Sequence, residues 1–475
     1  MFLLNRVPYK WLVATVFVIA LFMDILDLTI VNVSLVAISK DFGVSVPNTT
    51  WVVLGYSLSL AVWIPVSGWV GERFGTKRTF LFALGMFTLA SFLCGRSTTI
   101  NQLIAFRLLQ GVGGGMLTPV GTTLLFRAFP PAERARASMI LTIPTVLAPA
   151  SGPVLGGLLT DGPGWRWVFW VNLPIAFIVF VIALFGLKPD VPAVARKLDL
   201  VGFALSVIGF PSLVYFLERG AEDGWLATSE IIAFVLAVSA LTGLILWSKR
   251  APHPMLDLGL LRERLFRTMN IVSFMSTMAF LGVMFLLPQF LQRVAGFSAS
   301  KAGLATFPQA FGVILMSRIV GRVYPKVGPR RMMVFAYCGL AVMTVPFLFI
   351  TVDTSPWVYR AVMFTRGIFL GFSFIPLQAA SFARITPEQQ GRASAVYSTQ
   401  RQLGSATGVA VLSTILVAMI PQEFPRGPMP APLVPGFTSA FHWAFASAIV
   451  LTLGAALLSL RIRDSDAAAT MVPRT

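Results

Sequence analysis

Long apolar stretches follow one another along nearly the whole chain, separated by short polar segments. A helix needs about 20 apolar residues to cross the hydrocarbon core of a bilayer, and these stretches are close to that length or longer. They predict a polytopic membrane protein. We count fourteen spans, at 12–37, 50–70, 79–96, 101–124, 137–160, 167–187, 200–217, 230–247, 268–291, 301–320, 332–351, 357–382, 393–419 and 438–460.

Composition and charge agree with this interpretation. Hydrophobic residues make up 56% of the chain and charged residues only 12%, and the mean hydropathy is +0.80. Soluble domains carry about 25% charged residues. The net charge of +18 would suit a nucleic-acid partner, but the basic residues lie in short runs between the spans. Cytoplasmic loops of membrane proteins have this bias, so we expect no nucleic-acid binding and place both termini in the cytoplasm.

Other function classes find little support. Cys94 and Cys338 lack disulfide or metal-ligand spacing, and His253 and His442 have no companions at such spacing. The sequence has no phosphate-binding Gly-Lys-Ser/Thr loop and no nucleophile–His arrangement. We therefore expect neither an enzyme nor a bound cofactor, and ATP is not the expected driving force. The first span is too long for a signal peptide and is expected to be retained.

Two carboxylates lie inside the first apolar span. Asp24 and Asp27 are three residues apart, so one helix presents both on the same side. A charged group at that depth costs roughly 2.5–3.5 kcal/mol on insertion scales and usually lines a polar cavity or carries protons. The alternative is that both acids are structural and bond to neighbouring backbone or hydroxyl groups.

A basic residue lies inside the fourth span. Arg107 is surrounded by apolar sequence, with Gln110 three residues later. An arginine side chain cannot lose its proton in a protein. It must therefore pair with an acid, with backbone carbonyls or with water. A role in proton movement and a purely structural role bonded to carbonyls both remain open at this point.

The fifth span combines proline and glycine. Proline removes a helical hydrogen bond and glycine loosens packing, so this helix is expected to bend. The alternative is a face of small residues on which another helix packs. The residues concerned are Pro149, Gly152, Pro153, Gly156 and Gly157.

The chain contains an internal repeat of two widely separated loops. The loop from Gly68 to Arg78 reads GWVGERFGTKR, and the loop from Gly321 to Arg331 reads GRVYPKVGPRR. Repeats of this kind are typical of secondary transporters built from two related halves. The two loops are eight spans apart, where six would suffice, so spans seven and eight are predicted to be inserted between the halves.

This organisation predicts four regions. An N-terminal six-helix bundle covers 1–187, and a linker with two extra transmembrane helices and a cytoplasmic connector covers 188–267. A C-terminal six-helix bundle covers 268–463, and a disordered tail covers 464–475.

Several motifs resemble those of a known transporter family. The loop with Gly68, Glu72, Arg73, Gly75, Lys77 and Arg78 resembles the signature loop of the major facilitator superfamily, although the family usually has Asp where Glu72 stands. Four further segments are similar to motifs of its fourteen-helix drug:proton antiporters. They are LDLTIVNVSL, the Arg-x-x-Gln-Gly around Arg107, LAPASGPVLGG and WRWVFWVNLPIA. Ala148 replaces the first glycine of the antiporter motif.

The resemblance implies a fold and a mechanism. The fold would be all-α, with two six-helix bundles and two inserted helices, fourteen in all. The signature loop would latch the cytoplasmic side in one transport state. The proton-coupling residues would be Asp27, Asp24 and Arg107. Asp27 matches the family motif and is the preferred proton carrier, whereas Asp24 is an addition that serves either the substrate or local structure.

The expected function is a proton-coupled multidrug antiporter in the bacterial inner membrane. It would export lipophilic, cationic drugs or amphipathic compounds and confer antibiotic resistance, with protons, small molecules and membrane lipids as partners and a monomer as its form. The alternatives are an exporter of one native metabolite, lipid or acidic compound, and a non-transporting receptor. Candidate substrate-cavity residues are Asp24, Asn32, Tyr56, Gln110, Met116, Phe280, Phe307, Arg366, Phe374, Gln378 and Arg401.

Overall fold

The computed structural model describes residues 8–44, 46–190, 198–420 and 429–471, and within these ranges the regular structure is helical. The seven residues 191–197 of the predicted linker and 472–475 of the predicted tail lie outside them. The α-helices are α1 Tyr9–Phe42, α2 Val46–Phe74, α3 Thr76–Arg96, α4 Ile100–Ala128, α5 Arg134–Asp161, α6 Trp167–Trp170, α7 Asn172–Gly186, α8 Leu200–Asp223, α9 Thr228–Ser248, α10 Arg264–Arg293, α11 Ala299–Thr306, α12 Pro308–Val327, α13 Pro329–Thr344, α14 Pro356–Ser381, α15 Gln390–Met419 and α16 Val434–Ser459.

The number of spans agrees with the sequence prediction. Thirteen helical segments of the described chain are long and apolar enough to cross a membrane. A fourteenth is a bent pair, Lys301–Ser317 with Ile319–Val327, which meet at 55°. This pair corresponds to the tenth predicted span. The prediction of an all-α membrane protein is therefore confirmed, and the described chain has thirteen candidate spans, or fourteen when the bent pair counts as one.

The chain divides into two compact units. The first contains residues 1–216, 225–262 and 385–399, and the second contains 217–224, 263–384 and 400–475. In the first unit α4 packs against both α2 and α3, and in the second α14 packs against both α12 and α13. These pairings are equivalent under the internal repeat, so the two units share a packing plan. The predicted domain boundaries at 187 and 268 remain a prediction.

The repeated loops have the same backbone geometry. Gly75, with φ 87°, directly precedes α3, and Gly328, with φ 81°, directly precedes α13. Residues with a Cβ rarely adopt these angles, which explains why glycine stands at both positions. The repeat found in the sequence is thus also present in the backbone.

A carboxylate holds the start of the helix after each of these glycines. Asp190 follows α7 and accepts hydrogen bonds from the Thr76 N–H at 2.8 Å, the Lys77 N–H at 3.2 Å and the Thr76 hydroxyl. Asp464 follows α16 and accepts one from the Arg330 N–H at 2.9 Å. The first N–H groups of a helix have no partner within it, and its N-terminus favours negative charge. Each aspartate supplies a hydrogen-bond acceptor for these N–H groups and a negative charge at the helix N-terminus.

Partial burial raises the pKa of the Asp190 carboxyl, but the hydrogen bonds from Thr76 and Lys77 outweigh it, and the pKa lies below its usual value. Arg127, at the end of α4, adds an ion pair to Asp190 at 3.2 Å. The ionised form of Asp190 is therefore part of the folded structure.

The start of the tail is ordered, which corrects the prediction of disorder for 464–470. These residues form a 3-10 helix. Ala467 and Thr470 are buried, and the hydroxyl groups of Thr470 and Tyr324 lie 2.7 Å apart. Arg384 donates to the Asp466 carboxylate at 2.7 Å. Small residues suggested disorder by composition, but their size is what lets this segment pack closely.

We predict that Asp190→Ala lowers thermal stability more than Asp464→Ala, because Asp190 accepts more hydrogen bonds. Losing a helix cap costs about 1 kcal/mol. Melting curves of the detergent-solubilised protein would measure this, with Asp353→Ala, at an exposed position, as the matched control.

The effect of Asp190→Ala should also depend on pH. A carboxyl with a lowered folded-state pKa stabilises the protein above its unfolded pKa of about 3.9, and this contribution is lost as pH falls through the folded value. The difference from the unsubstituted protein should thus be full at pH 7 and shrink in acid. A constant difference across this range would contradict the assignment.

Candidate functional site

One face of α4 meets the acidic side of α1. Arg107, Gln110, Gly114 and Thr118 are spaced by three, four and four residues, which places them in one stripe along the helix. The stripe lies against Asp24 and Asp27, and α2 contributes Tyr56. The sequence-predicted acids, arginine and glutamine therefore converge on one buried polar site.

Asp27 forms a buried ion pair with Arg107, and both side chains are fully inaccessible. The Arg107 Nη1 also donates to the Gln110 side-chain oxygen at 2.7 Å, and its Nε donates to the Val52 carbonyl at 3.0 Å. The acid and the backbone carbonyl expected as alternative partners of Arg107 are thus both present.

Two amides complete the surroundings of Asp27. Its Oδ1 accepts from the Gln110 side-chain amide at 2.9 Å and from the Asn172 amide at 3.3 Å. Together with the arginine, three N–H donors face this carboxylate. Gln110, predicted to line the substrate cavity, is fully buried and hydrogen-bonds to both members of the ion pair.

Asp24 has different partners. Its Oδ1 accepts from the Tyr56 hydroxyl at 2.6 Å, and its Oδ2 accepts from the Thr118 hydroxyl at 3.0 Å. The residue is 6% exposed and forms no ion pair within the described part of the chain. Asp24 is therefore a buried carboxylate held by hydroxyl groups alone.

Tyr56 links Asp24 to the arginine of the ion pair. Its hydroxyl binds Asp24, and its ring lies under the Arg107 guanidinium, 4.2 Å from ring centroid to Cζ. A Cβ at Gly114 would overlap with both the Tyr56 hydroxyl and Asp24 Oδ1. Glycine at this position therefore allows the contact between Tyr56 and Asp24.

The glycines of the fifth span pack against the helix that carries the acids. A Cβ at Gly152 would overlap with the Thr29 side chain, and one at Gly156 would lie 2.9 Å from the Ile30 carbonyl oxygen. Gly157 has open space at its Cβ position. Two of the three motif glycines thus allow α5 to approach α1 closely, as the packing-face alternative predicts, while Pro149 and Pro153 lie within the continuous helix α5.

The second unit repeats this arrangement. A Cβ at Gly404 of α15 would lie 3.1 Å from the Phe274 carbonyl oxygen, and one at Gly408 would lie 2.5 Å from the Met278 Cα. Both contacts are with α10, the counterpart of α1. Gly404 follows Gly152 by 252 residues and Gly408 follows Gly156 by the same number, close to the offset of the repeated loops.

The signature loop contributes an ion-pair network within the first unit. Arg392 Nε lies 3.0 Å from Glu72 Oε1, and Arg392 Nη1 lies 2.6 Å from Asp257 Oδ2. All three side chains are largely buried. Asp257 belongs to the connector between α9 and α10, which the sequence did not link to this loop.

Other loop residues have simpler roles. Lys77 donates through Nζ to the carbonyls of Leu184 at 2.8 Å and Leu187 at 2.5 Å, and so binds the end of α7. Arg73 and Arg78 are exposed. The predicted latch residues therefore separate into one ion-paired acid, one helix-binding lysine and two exposed arginines.

The second unit contains a buried arginine of another kind. Arg366 of α14 is 4% exposed, and its Nη1 donates to the Thr344 hydroxyl. Its Nε has no hydrogen-bond partner, and no carboxylate in the described chain is within ion-pair distance. Helix α10 contains no acid, so nothing in the second unit repeats Asp27.

The remaining predicted cavity residues differ in burial and contacts. Phe280 and Phe374 meet edge to face at 5.5 Å in the second unit. Asn32 is exposed and donates to the Leu28 carbonyl, whereas Met116 is buried. Phe307, Gln378 and Arg401 are half-buried.

Two contacts of the buried polar site were missed from the sequence alone. Thr118 could have been found, because it continues the stripe of Arg107, Gln110 and Gly114 on α4. Asn172 lies at the start of α7, in a motif noted only for its resemblance, and no spacing rule connects it with Asp27.

The sequence matches a known family of membrane transporters. Residues 17–409 match the model of the Major Facilitator Superfamily. The chain belongs to the major facilitator superfamily. This confirms the resemblance drawn from the motifs and identifies a multi-pass transporter of small molecules rather than an enzyme.

Relatives of the chain are named for multidrug export and for fatty acid resistance. The chain is 34% identical to "Multidrug export protein EmrB" of Escherichia coli (strain K12) over 404 residues, covering 84% of this chain and 78% of that protein. It is 31% identical to "Fatty acid resistance protein FarB" of Neisseria gonorrhoeae over 406 residues, covering 84% and 79%.

A solved structure supports the fold. The crystal structure of the human organic anion transporter MFSD10 (TETRAN) matches with a TM-score of 0.65, covering 95% of this chain and 100% of that one. At 15% identity this likeness concerns the fold alone.

We predict that Gly152→Ala damages the protein and that Gly157→Ala does not. The added methyl group at Gly152 would push α5 away from Thr29, and overpacking of this kind costs about 1–3 kcal/mol. Melting temperature and the yield of monodisperse protein would measure the effect. Equal behaviour of the two variants would show that α1 and α5 do not need this close contact.

Proposed function

We propose that this transporter is a proton-coupled antiporter that exports lipophilic drugs across the cytoplasmic membrane by alternating access. The observation that carries the proposal is the buried acid pair of α1, next to a buried arginine. Charged groups at this depth are costly and are found where ions or protons move. A non-transporting receptor would have no need of them.

Coupling would work by competition. A proton and a cationic substrate both neutralise a carboxylate, so the site favours one of them at a time. Proton binding from outside would release the drug outward, and proton loss to the cytoplasm would reset the site. Movement of the two related halves would expose the site to each side in turn. The proton gradient would then be the driving force, with no cofactor and with a monomer as the working unit.

A cationic substrate is our first candidate because the excess buried charge in the first unit is negative. Arg366 supports a second candidate, an acidic amphipathic compound, because a buried guanidinium without a carboxylate favours an anion. The similarity to a protein named for fatty acid resistance also supports an acidic substrate.

The ion pairs of Arg392 would act as the latch. Arg392 lies in the part of α15 that belongs to the first unit, and the rest of this helix belongs to the second. Breaking the contact with Glu72 is therefore expected to change the balance between transport states.

Transport in proteoliposomes tests the main proposal. We expect a pH gradient to drive ethidium, a lipophilic cation, against its concentration gradient. The double variant Asp24→Asn with Asp27→Asn should lose this gradient-driven transport, because no acid of α1 can then exchange a proton. Undiminished transport by the double variant would exclude the acid pair.

Oleate in place of ethidium separates the two substrate candidates. Gradient-driven movement of ethidium alone supports the cation, and movement of oleate that is lost in Arg366→Gln supports the acid. A protonophore that collapses the gradient serves as the control in both cases.

For the latch, Glu72→Gln should shift the balance of states roughly fivefold, since a partly buried ion pair of this kind contributes about 1 kcal/mol. Labelling of single introduced cysteines by an impermeant reagent from each side of the membrane measures that balance. Arg73→Gln, which alters an exposed neighbour, is the matched control and should leave it unchanged.

A further inference from the structure

We infer that Asp24, and not Asp27, is the carboxylate that binds and releases the proton, while Asp27 stays ionised as the permanent partner of Arg107. This inference rests on the proposed proton coupling and assigns it to one residue. It reverses the preference drawn from the family motif, which favours Asp27.

The partners of Asp27 require the ionised form. Arginine has N–H donors and no acceptor, and an amide NH₂ group only donates. Arg107, Gln110 and Asn172 thus direct three donors at this carboxylate. A proton on Asp27 would displace one of these donors and leave the positive charge of Arg107 uncompensated in a buried site. Removing one member of a buried ion pair is strongly destabilising, because it leaves the other charge uncompensated.

The partners of Asp24 accept either form. A hydroxyl group can donate or accept, and its hydrogen rotates to suit. With Asp24 ionised, the hydroxyls of Tyr56 and Thr118 both donate to it. When a proton binds Oδ2, the Thr118 hydroxyl can turn and accept it, while Tyr56 still donates to Oδ1. No hydrogen bond is lost in either state.

Charge balance leads to the same assignment. Asp27 and Arg107 together are neutral, so an ionised Asp24 would leave one uncompensated negative charge in the buried site. Such a charge is disfavoured away from water, and a proton removes it.

The other helices that pack around Asp24 contribute no further acid or base to the argument about its charge. The titratable groups facing this site are Asp27 on α1, Tyr56 on α2, Cys94 on α3 and Arg107 on α4. Helix α5 has no titratable side chain between Arg136 and Asp161, and α7 has none at all.

Infrared spectroscopy of the purified, full-length transporter tests the assignment without a substrate. A protonated carboxyl group has a carbonyl stretch that is separate from the bands of ionised carboxylates. We expect a buried-carboxyl band in the unsubstituted protein, its loss in Asp24→Asn, and its retention in Asp27→Asn with Arg107→Gln. This double variant removes both charges of the ion pair together, so it avoids an unpaired buried charge.

Tyr56→Phe provides a second signature. It removes one hydrogen bond to Asp24 but keeps the ring under Arg107, so the band should move to higher frequency while the protein stays folded. An unmoved band would mean that the protonated group is not Asp24.

Three results would overturn the inference: no buried-carboxyl band in the unsubstituted protein, a band that survives in Asp24→Asn, or one that disappears in the double variant. If the band behaves as expected but neither ethidium nor oleate follows a pH gradient, the proton site stands and the proposed drug export fails. In proteoliposomes that do transport ethidium, Asp24→Asn should lose gradient-driven transport, whereas Asp353→Ala, at an exposed position, should keep it.

Discussion

The buried ion pair between Asp27 and Arg107 determines how the first unit is built. An arginine deep among apolar helices keeps its charge, so the fold must bring an acid to it and surround both with donors and acceptors. Asp27 from α1, Gln110 from α4, Asn172 from α7 and the Val52 carbonyl from α2 meet this need. The pair thereby fixes the rotation of four helices relative to one another.

The site around Asp24 follows from that fixed rotation. With Arg107 held against Asp27, the same face of α4 carries Gly114 and Thr118 to the level of Asp24. Tyr56 reaches Asp24 with its hydroxyl while its ring supports the arginine. In the proposed mechanism, an ion pair that keeps its charge thus positions a neighbouring carboxylate that binds and releases the proton.

Local properties of the sequence explain how much was predictable. The spans could be predicted from hydropathy, and the need of Arg107 for a partner could be predicted from the chemistry of arginine. Each of these predictions depends on a single segment of the sequence. The choice of Asp27 over Asp24 as that partner depends on how far α4 is shifted along α1, which no single segment contains. The ordered tail was missed for the same reason, since Thr470 is held by Tyr324, 146 residues earlier.

The internal repeat preserves the scaffold and not the charge site. Helix-capping aspartates, positive-φ glycines and close glycine contacts occur in both units. The acids of α1 have no equivalent in α10, and Arg366 donates to the Thr344 hydroxyl instead of pairing with an acid of the described chain. Packing constrains a backbone wherever two helices approach, whereas a buried charge is costly unless it is compensated. One unit can thus carry the proton while the other is free to vary toward different substrates.

The neutrality of the ion pair also limits how many protons can be exchanged for each substrate molecule. If Asp27 and Arg107 stay charged, the net charge of the site alternates only between minus one and zero, through Asp24. A proton or a monovalent cation returns it to zero, and the empty ionised site is the state that burial disfavours. Passage between the two sides is then easiest with either the proton or the cation bound. A single titrating carboxylate therefore requires a one-to-one exchange within this site, and the cost of the empty ionised state opposes movement without exchange.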